Sequence, residues 1–111
     1  KYIKNDGHYI LSKKKWKTVV THNPDGEYGH IHHQMTSYIV RKDSRVDMNQ
    51  LVYFGKYYRK KNMPKNLNSI SSSDLKKKMK LTGMYSSQSK VMDHLGHMLP
   101  HENWVKAKDW R

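Results

Sequence analysis

The sequence contains no cysteine, which excludes disulfide bridges and any zinc or iron–sulfur site built from thiolates alone. The chain is therefore compatible with a reducing compartment, but its composition does not identify one. No stretch approaches the ~18 consecutive apolar residues that a membrane-spanning helix needs, and no signal peptide is visible. The sequence accordingly predicts no membrane span.

Acidic residues are scarce as well, since nine acidic side chains include only two glutamates, Glu27 and Glu102. Two-metal nucleases and paired-carboxylate glycosidases need acidic clusters, and no such cluster is visible in the sequence. The six glycines are isolated, so a glycine-rich phosphate loop is absent. On this evidence the sequence assigns no metal site and no cofactor.

Strongly hydrophobic residues are few, because Leu, Ile, Val and Phe together make up 20 of the 111 residues. Eight Tyr, three Trp and seven Met supply further packable surface, so we expect a thin core. The length fits one small domain spanning residues 1–111. With 22 basic against nine acidic residues the net charge is +13, which predicts an anionic partner that offsets the self-repulsion.

The N-terminal part, residues 1–46, reads as β-rich. Trp16–His22 is rich in β-forming residues, and Asn23–Gly26 has the composition of a type I turn closed by a left-handed glycine. Tyr28–Val40 alternates between apolar and polar residues, and a first strand around Tyr9–Leu11 would extend the pair. The pattern predicts a β-hairpin or a three-stranded antiparallel sheet.

The remaining part, residues 47–111, reads as helical with a C-terminal tail. Spacing over 47–61 slightly favours a helix, although its Val-Tyr-Phe and Tyr-Tyr pairs favour a strand. Start and stop signals predict a short helix up to Gly83 and another from Ser86 or Ser87 to Pro100. The tail, with its two tryptophans, is expected to pack back on the body. The sequence thus predicts a small α+β fold with two or three short helices.

Four histidines surround the predicted turn. In a hairpin, His22, His30 and His32 would share one face of the ribbon, while His33 would point to the other. Three interpretations stay open: a zinc or copper face, metal-independent acid–base catalysis on RNA, or a solvated strand face. If the chain is a small ribonuclease of the toxin type, its candidate catalytic residues are His22, His30, His32 and Lys17.

A second group, His94, His97 and His101, has the spacing of one helical face, but Pro100 is expected to end the helix before the third histidine. Polar residues that flank a core stripe of the helix would show the same spacing. We therefore assign no chemistry to this group.

Basic residues are interleaved with aromatic residues in three runs. Lysines hold a phosphate backbone through counterion release, and aromatic faces stack unpaired bases. The candidate nucleic-acid-binding residues are Lys13, Lys14, Lys15, Trp16, Lys17, Lys56, Tyr57, Tyr58, Arg59, Lys60, Lys61, Lys76, Lys77, Lys78 and Lys80. Of these, Trp16, Tyr57 and Tyr58 are the candidates for stacking.

The cationic residues comprise 18 Lys and only four Arg, which favours diffuse backbone contact over base-specific reading. The sequence therefore predicts a nucleic-acid-binding module, RNA favoured over DNA, within a larger ribonucleoprotein assembly or alone. Binding to a membrane surface and packing inside a protein assembly are the other classes of partner. Whether the chain is an enzyme stays open, and a nuclease is the enzyme class to test.

Two segments resemble known motifs. His30-Ile31-His32, followed by Tyr53–Lys60, resembles the histidine and tyrosine motifs of HUH-type single-strand nicking initiators. In that family the histidines hold a divalent metal and the tyrosine attacks DNA, so the resemblance implies single-strand DNA nicking as a further alternative. The segment Ser73–Met98 is similar to a helix-turn-helix.

Overall fold

The computed structural model describes residues 2–84, 90 and 95–111, which form two compact units. Unit 1 contains Lys1–Lys56 and Trp104–Arg111, and unit 2 contains Tyr57–Asn103. Unit 1 is discontinuous in sequence, because all of unit 2 lies between its two segments.

Short helices and short strands make up the described structure. The helices are α1 (Tyr2–Ser12), α2 (Gly26–Gly29), α3 (Ile31–Lys42) and α4 (Ser72–Gly83), and the strands are β1 (Val19–Thr21), β2 (Leu51–Phe54) and β3 (Trp104–Lys106). Single 3-10 turns cover Lys60–Asn62, Gly96–Met98 and Ala107–Asp109. Over the described residues, no helix is both long and apolar enough to cross a membrane. The predicted small α+β fold is confirmed.

The three strands form one mixed sheet with the order β1-β2-β3, so β2 is its central strand. β1 runs parallel to β2 with Val19 opposite Leu51, and β3 runs antiparallel to β2 with Val105 opposite Tyr53. A parallel pair needs a crossover connection, and α3 lies in the segment that joins β1 to β2. The sheet is therefore not antiparallel throughout, and only β1 lies where the sequence predicted a strand.

The second strand of the predicted hairpin is helix α3 instead. Its apolar residues Ile31, Met35 and Ile39 recur every four positions, a spacing that fits both strand alternation and one helical turn. Local capping favours the helix, because His30 is the N-cap and its Nδ1 accepts a hydrogen bond from the N–H of His32. The prediction of a second hairpin strand is therefore wrong.

The Asn23–Gly26 turn forms as predicted. The N–H of Gly26 donates to the carbonyl of Asn23 at 2.9 Å, and Gly26 has a left-handed φ of +65°. A Cβ atom at this position would lie 2.7 Å from Cγ of Gln34 in α3. Glycine is therefore required here for both backbone conformation and space. The chain continues from this turn into α2 and α3.

The side chain of Asn23 is fully buried and joins this turn to the end of β2. Its Nδ2 donates to the carbonyl groups of Phe54 and Gly55, each at 3.1 Å. Its Oδ1 accepts hydrogen bonds from the N–H groups of Asp25 and Glu27, each at 3.0 Å. One amide thus fixes the backbone before α3 relative to the sheet.

Helix α1 takes the place of the first strand that was expected around Tyr9–Leu11. A short apolar run fits a strand or a helix equally well by periodicity. The helix packs on α3, where the position of a Cβ on Gly7 would be 3.9 Å from Cγ2 of Ile39. A hydrogen bond of 2.9 Å between His8 Nδ1 and Asp43 Oδ2 ties α1 to the end of α3.

Strand β2 carries the core of unit 1. Leu51 and Tyr53 are each 1% exposed, whereas the alternate residues Val52 and Phe54 are not buried, so the burial follows the period of a strand. The β-branched and aromatic composition of this segment outweighs the helical spacing that slightly favoured a helix. Trp110 packs edge-on against Tyr53 with ring centroids 5.7 Å apart, which confirms that the tail packs back on the body.

In unit 2, helix α4 confirms the short helix predicted up to Gly83. Ser71 is its N-cap, and Ser71 Oγ accepts a hydrogen bond from the N–H of Asp74 at 3.2 Å. Just before the helix, Ser69 forms an antiparallel bridge with His101.

The helix predicted from Ser86 or Ser87 to Pro100 lies largely outside the described residues. Near its expected end, the described residues Gly96–Met98 form a 3-10 turn. The N–H of Ile70 donates to the carbonyl of Pro100 at 2.8 Å, so the chain after this turn returns to the start of α4.

We predict that Asn23→Ala lowers the free energy of unfolding by about 2–3 kcal/mol, because it leaves buried backbone groups without hydrogen-bond partners. Urea denaturation of the two proteins measures the difference. The exposed Asn49→Ala variant is the control, and we expect it to stay within about 0.5 kcal/mol of the parent. Equal stability of Asn23→Ala and Asn49→Ala would contradict the role given to Asn23.

Candidate functional site

Two histidines and one glutamate meet beside the Asn23–Gly26 turn. His22 Nδ1 lies 2.5 Å from Oε1 of Glu27, and His33 Nδ1 lies 3.8 Å from the same oxygen. We call His22, Glu27 and His33 the histidine–glutamate cluster. His22 directly follows β1, Glu27 is in α2 and His33 is in the first turn of α3, so three consecutive elements each supply one group.

The backbone at Glu27 is unusual for a residue with a side chain. Its φ of 59° and ψ of −82° lie in a region that such residues rarely adopt. The hydrogen bond from its N–H to Asn23 Oδ1 and the close approach of Gly26 to α3 hold it there. Strain of this kind is concentrated at functional sites in proteins and is maintained only where the surroundings impose it.

Histidine rings stack on one another at the cluster. The rings of His22 and His33 are nearly parallel, with centroids 3.9 Å apart, and His30 stacks on His33 at 4.3 Å. His32 is tilted against His30 at 5.3 Å and is exposed. Because His30 Nδ1 accepts the hydrogen bond that caps α3, this nitrogen is occupied by a structural contact.

Two atoms of the cluster are buried without a hydrogen-bond partner, Glu27 Oε2 and His33 Nδ1. A buried polar atom that lacks a partner costs about 1–3 kcal/mol. Burial of the ring and the neighbouring His22 lower the pKa of His33 below 6.5, while the Glu27 carboxylate opposes this shift. His33 therefore tends towards the neutral form, in which its nitrogen can accept a proton or a metal ion.

The cluster supports two kinds of chemistry. A carboxylate that accepts a hydrogen bond from one histidine nitrogen orients the ring and leaves the other nitrogen free to take a proton. Two imidazoles and one carboxylate also form a donor set that holds zinc or iron(II) in proteins. Both kinds of chemistry use the pair His22 and Glu27.

Two aromatic side chains are exposed next to the cluster. Phe54 and Trp104 are cross-strand neighbours in β2 and β3, with ring centroids 5.4 Å apart, and they are 37% and 56% exposed. The ring of His22 meets Phe54 edge-on at 5.6 Å. We call Phe54 and Trp104 the aromatic pair. Its exposed faces can stack on a planar ligand such as a nucleobase.

The three aromatic residues that the sequence analysis predicted to stack on bases are all half-buried. Trp16 donates its Nε1–H to the carbonyl of Ile10 in α1 at 3.3 Å, and Lys14 Nζ lies 4.2 Å from its ring. Tyr57 packs edge-on against His97 at 5.5 Å. Tyr58 accepts a hydrogen bond at its carbonyl from His97 Nε2 at 2.7 Å.

The three basic runs lie on separate elements, and all of their basic residues except Lys78 are exposed. Lys13–Lys17 joins α1 to β1, Lys76–Lys80 lies in α4, and Lys56–Lys61 spans the boundary between unit 1 and unit 2. Over residues 2–84, 90 and 95–111, the one lysine or arginine paired with a carboxylate is Lys78, whose Nζ lies 2.9 Å from Oε2 of Glu102. The basic charge of the described residues is therefore largely uncompensated within the chain.

The structure brings together some of the candidate catalytic residues that were predicted from the sequence. His22 and His30 lie in or against the histidine–glutamate cluster, His32 lies beside His30, and Lys17 is exposed before β1. Sequence reasoning missed Glu27 and placed His33 on the opposite face, because it interpreted α3 as a strand. The sequence signal that was available is the Asn23–Gly26 turn. Because this turn reverses the chain, a helix that follows it has its first residues close to the end of β1.

The HUH-type resemblance stays a prediction, and two features of the local geometry bear on it. His30 and His32 flank the start of α3, and the three-ligand group of the described residues does not include His32. Tyr53 is 1% exposed within the sheet, so its hydroxyl is unsuited to attack on a DNA strand. In the second histidine group, His94 lies outside the described residues, and His97 and His101 are bound to backbone carbonyls in unit 2.

Comparison with known proteins finds one viral likeness. The chain is 28% identical over 109 residues to an uncharacterized protein of Acanthamoeba polyphaga mimivirus. The match covers 98% of this chain but 43% of that protein, so the chain spans less than half of its relative's length. No family model and no solved structure matches the chain.

We predict that thermal stability falls as the pH is lowered from about 7.5 to about 5.5, and that His33→Gln flattens this dependence. Because the pKa of His33 is lowered in the folded state, the unfolded chain binds more protons between that pKa and 6.5. The contribution of His33 to stability is therefore fully present above pH 6.5 and is lost as the pH falls below that value. Melting temperatures across this range measure the effect, and His32→Gln, exposed on the same helix, is the control. A parent-like pH dependence in His33→Gln would contradict the assignment.

Proposed function

We propose that the chain is a nucleic-acid-binding module, RNA favoured over DNA, that holds the phosphate backbone with lysines and stacks bases on exposed aromatic rings. The proposal rests on the charge of the three basic runs, in which Lys78 is the one basic residue paired with a carboxylate among the described residues. A net charge of +13 with one ion-paired lysine among the described residues creates a positive field that a polyanion would neutralise.

The aromatic pair supports the preference for unpaired bases. Stacking on an exposed ring is tolerant of sequence and requires a base that is not already stacked in a duplex. Phe54 and Trp104 offer such rings in unit 1, where the basic run Lys13–Lys17 also lies. Lysine predominates over arginine, which fits contact with the backbone more than base-specific reading.

The core of the described residues also fits a module that works with a partner. Three hydrophobic side chains are buried in it, those of Leu51, Tyr53 and Ala107. A large polyanion that neutralises the surface charge would relieve the self-repulsion that such a thin core must withstand. Membership of a larger protein–RNA assembly is consistent with this arrangement.

We predict that affinity for single-stranded RNA falls log-linearly with salt concentration and that replacing Lys13, Lys14 and Lys15 with Gln reduces the slope by about 2. Each phosphate contact contributes about 0.7 to the slope for a single strand. Fluorescence anisotropy of a labelled RNA, measured over a series of salt concentrations, gives both slopes.

The matched control removes the same charge from exposed lysines outside the runs, by replacing Lys4, Lys42 and Lys108 with Gln. We expect a smaller change of slope in this control. Trp104→Ala should lower the affinity and leave the slope unchanged, since it removes stacking and no charge. Affinity that is independent of salt, or equal losses in both lysine variants, would exclude the proposed interface.

A second candidate function is cleavage of the bound RNA, favoured by the hydrogen bond between His22 and Glu27. With its Nδ1–H donated to Glu27, His22 can take the proton of a ribose 2′-hydroxyl at Nε2. The 2′-oxygen then attacks the adjacent phosphorus, and the 5′-oxygen leaves with a proton from a second acid. His30, whose ring stacks on His33, is the neighbouring group for that second role.

We predict that, if the chain cleaves RNA, His22→Ala abolishes cleavage and leaves RNA affinity nearly unchanged. End-labelled RNA on a denaturing gel, with and without EDTA, measures cleavage, and anisotropy measures affinity. Asn49→Ala, which alters an exposed residue outside the candidate catalytic set, is the control. Full activity in His22→Ala, or an intact RNA with the parent protein, would leave a binding module without this activity.

A further inference from the structure

We infer that the histidine–glutamate cluster is a binding site for one divalent transition-metal ion of the zinc class, held by His22, Glu27 and His33. The inference does not depend on nucleic-acid binding or on cleavage. It rests on the mutual positions of three side-chain groups, on two buried atoms that lack partners, and on the accessibility of the site.

The positions of the donor atoms suit a small metal ion. One donor atom from each of the three side chains lies within 4.8 Å of the other two. Donors at about 2.0–2.2 Å from a tetrahedral zinc ion lie about 3.4 Å from one another. The distances from Glu27 Oε1 to the two Nδ1 atoms, 2.5 and 3.8 Å, lie on either side of that value. Coordination by both histidines would also require the stacked rings of His22 and His33 to tilt, because an imidazole nitrogen donates in the plane of its ring.

The atoms without hydrogen-bond partners point to the same ligand. Glu27 Oε2 and His33 Nδ1 are buried and have no hydrogen-bond partner, and both belong to the proposed ligands. A bound cation would satisfy His33 Nδ1 directly and would neutralise the carboxylate. It would also replace the hydrogen bond between His22 Nδ1 and Glu27 Oε1, since both groups would become ligands.

The site is open enough for an ion to enter and for a further ligand to bind. The side chains of His22, Glu27 and His33 are 31%, 18% and 28% exposed. Three protein ligands leave one position of a tetrahedral ion free for water or for an oxygen of another molecule. The absence of cysteine and the mixture of imidazole and carboxylate favour zinc, cobalt(II) or iron(II) over copper(I).

Contacts around the cluster hold the three ligands close together before an ion binds. Asn23 fixes the backbone of Glu27, and the stack of His30 on His33 restricts the rotation of the His33 ring. His30 uses its Nδ1 to cap α3, which separates it from the ligand set even though its ring touches the site. This division of roles supplies an internal control for mutagenesis.

Cobalt(II) titration of the full chain, freed of metal by EDTA and dialysis, tests the inference through the absorption bands of the bound ion. We expect one ion per chain in the parent protein, with competition by zinc. Glu27→Gln keeps the size of the side chain and removes its charge, and we expect it and His33→Ala to weaken binding at least about 100-fold. Loss of an outer-shell partner alone costs about 10–100-fold, and these variants lose a direct ligand.

The control is His32→Ala, which removes a histidine from the same helix without removing a ligand, and we expect parent-like binding. Circular dichroism of each variant without metal checks that it is folded. If His33→Ala does not fold, the comparison of Glu27→Gln with the parent protein decides the test. The inference is overturned by any of three results: no saturable binding to the parent, parent-like binding by Glu27→Gln, or equal losses in Glu27→Gln and His32→Ala, which indicate adventitious binding to surface histidines.

Discussion

The hydrogen bonds of one buried amide hold the site together. Asn23 joins the end of β2 to the turn that precedes α3, and it does so with both its donor and its acceptor atoms. This link adds to the backbone hydrogen bonds of the turn in holding Glu27 and the start of α3 in position relative to the sheet. The amide therefore determines the geometry of the histidine–glutamate cluster, although it supplies no group to it.

The cluster and the basic surface place two different demands on the protein. The positive field attracts polyanions and also raises the cost of placing a cation nearby, so a metal ion in the cluster must be held by the Glu27 carboxylate. That carboxylate is one of only nine acidic groups in the chain. Its position between two histidines is the one part of the described site where charge is matched locally.

The features that depend on neighbouring residues were predicted correctly from the sequence. The features that depend on contacts between distant segments were not. The Asn23–Gly26 turn and helix α4 have their own caps and glycines, so both could be predicted from neighbouring residues. The spacing of Ile31, Met35 and Ile39 fits a strand and a helix equally well, and the choice between them depends on packing against β1 and α1. The error at α3 then displaced His33 from the predicted site, since the side-chain period changes from two residues to 3.6.

The discontinuity of unit 1 has a consequence for its synthesis on the ribosome. β2 is the central strand, but its partner β3 is made only after the 47 residues of Tyr57–Asn103 have followed it. Until then β2 has one unpaired edge, and an unpaired edge can recruit strands from other nascent chains. The sheet thus stays incomplete until residues 104–106 leave the ribosomal tunnel.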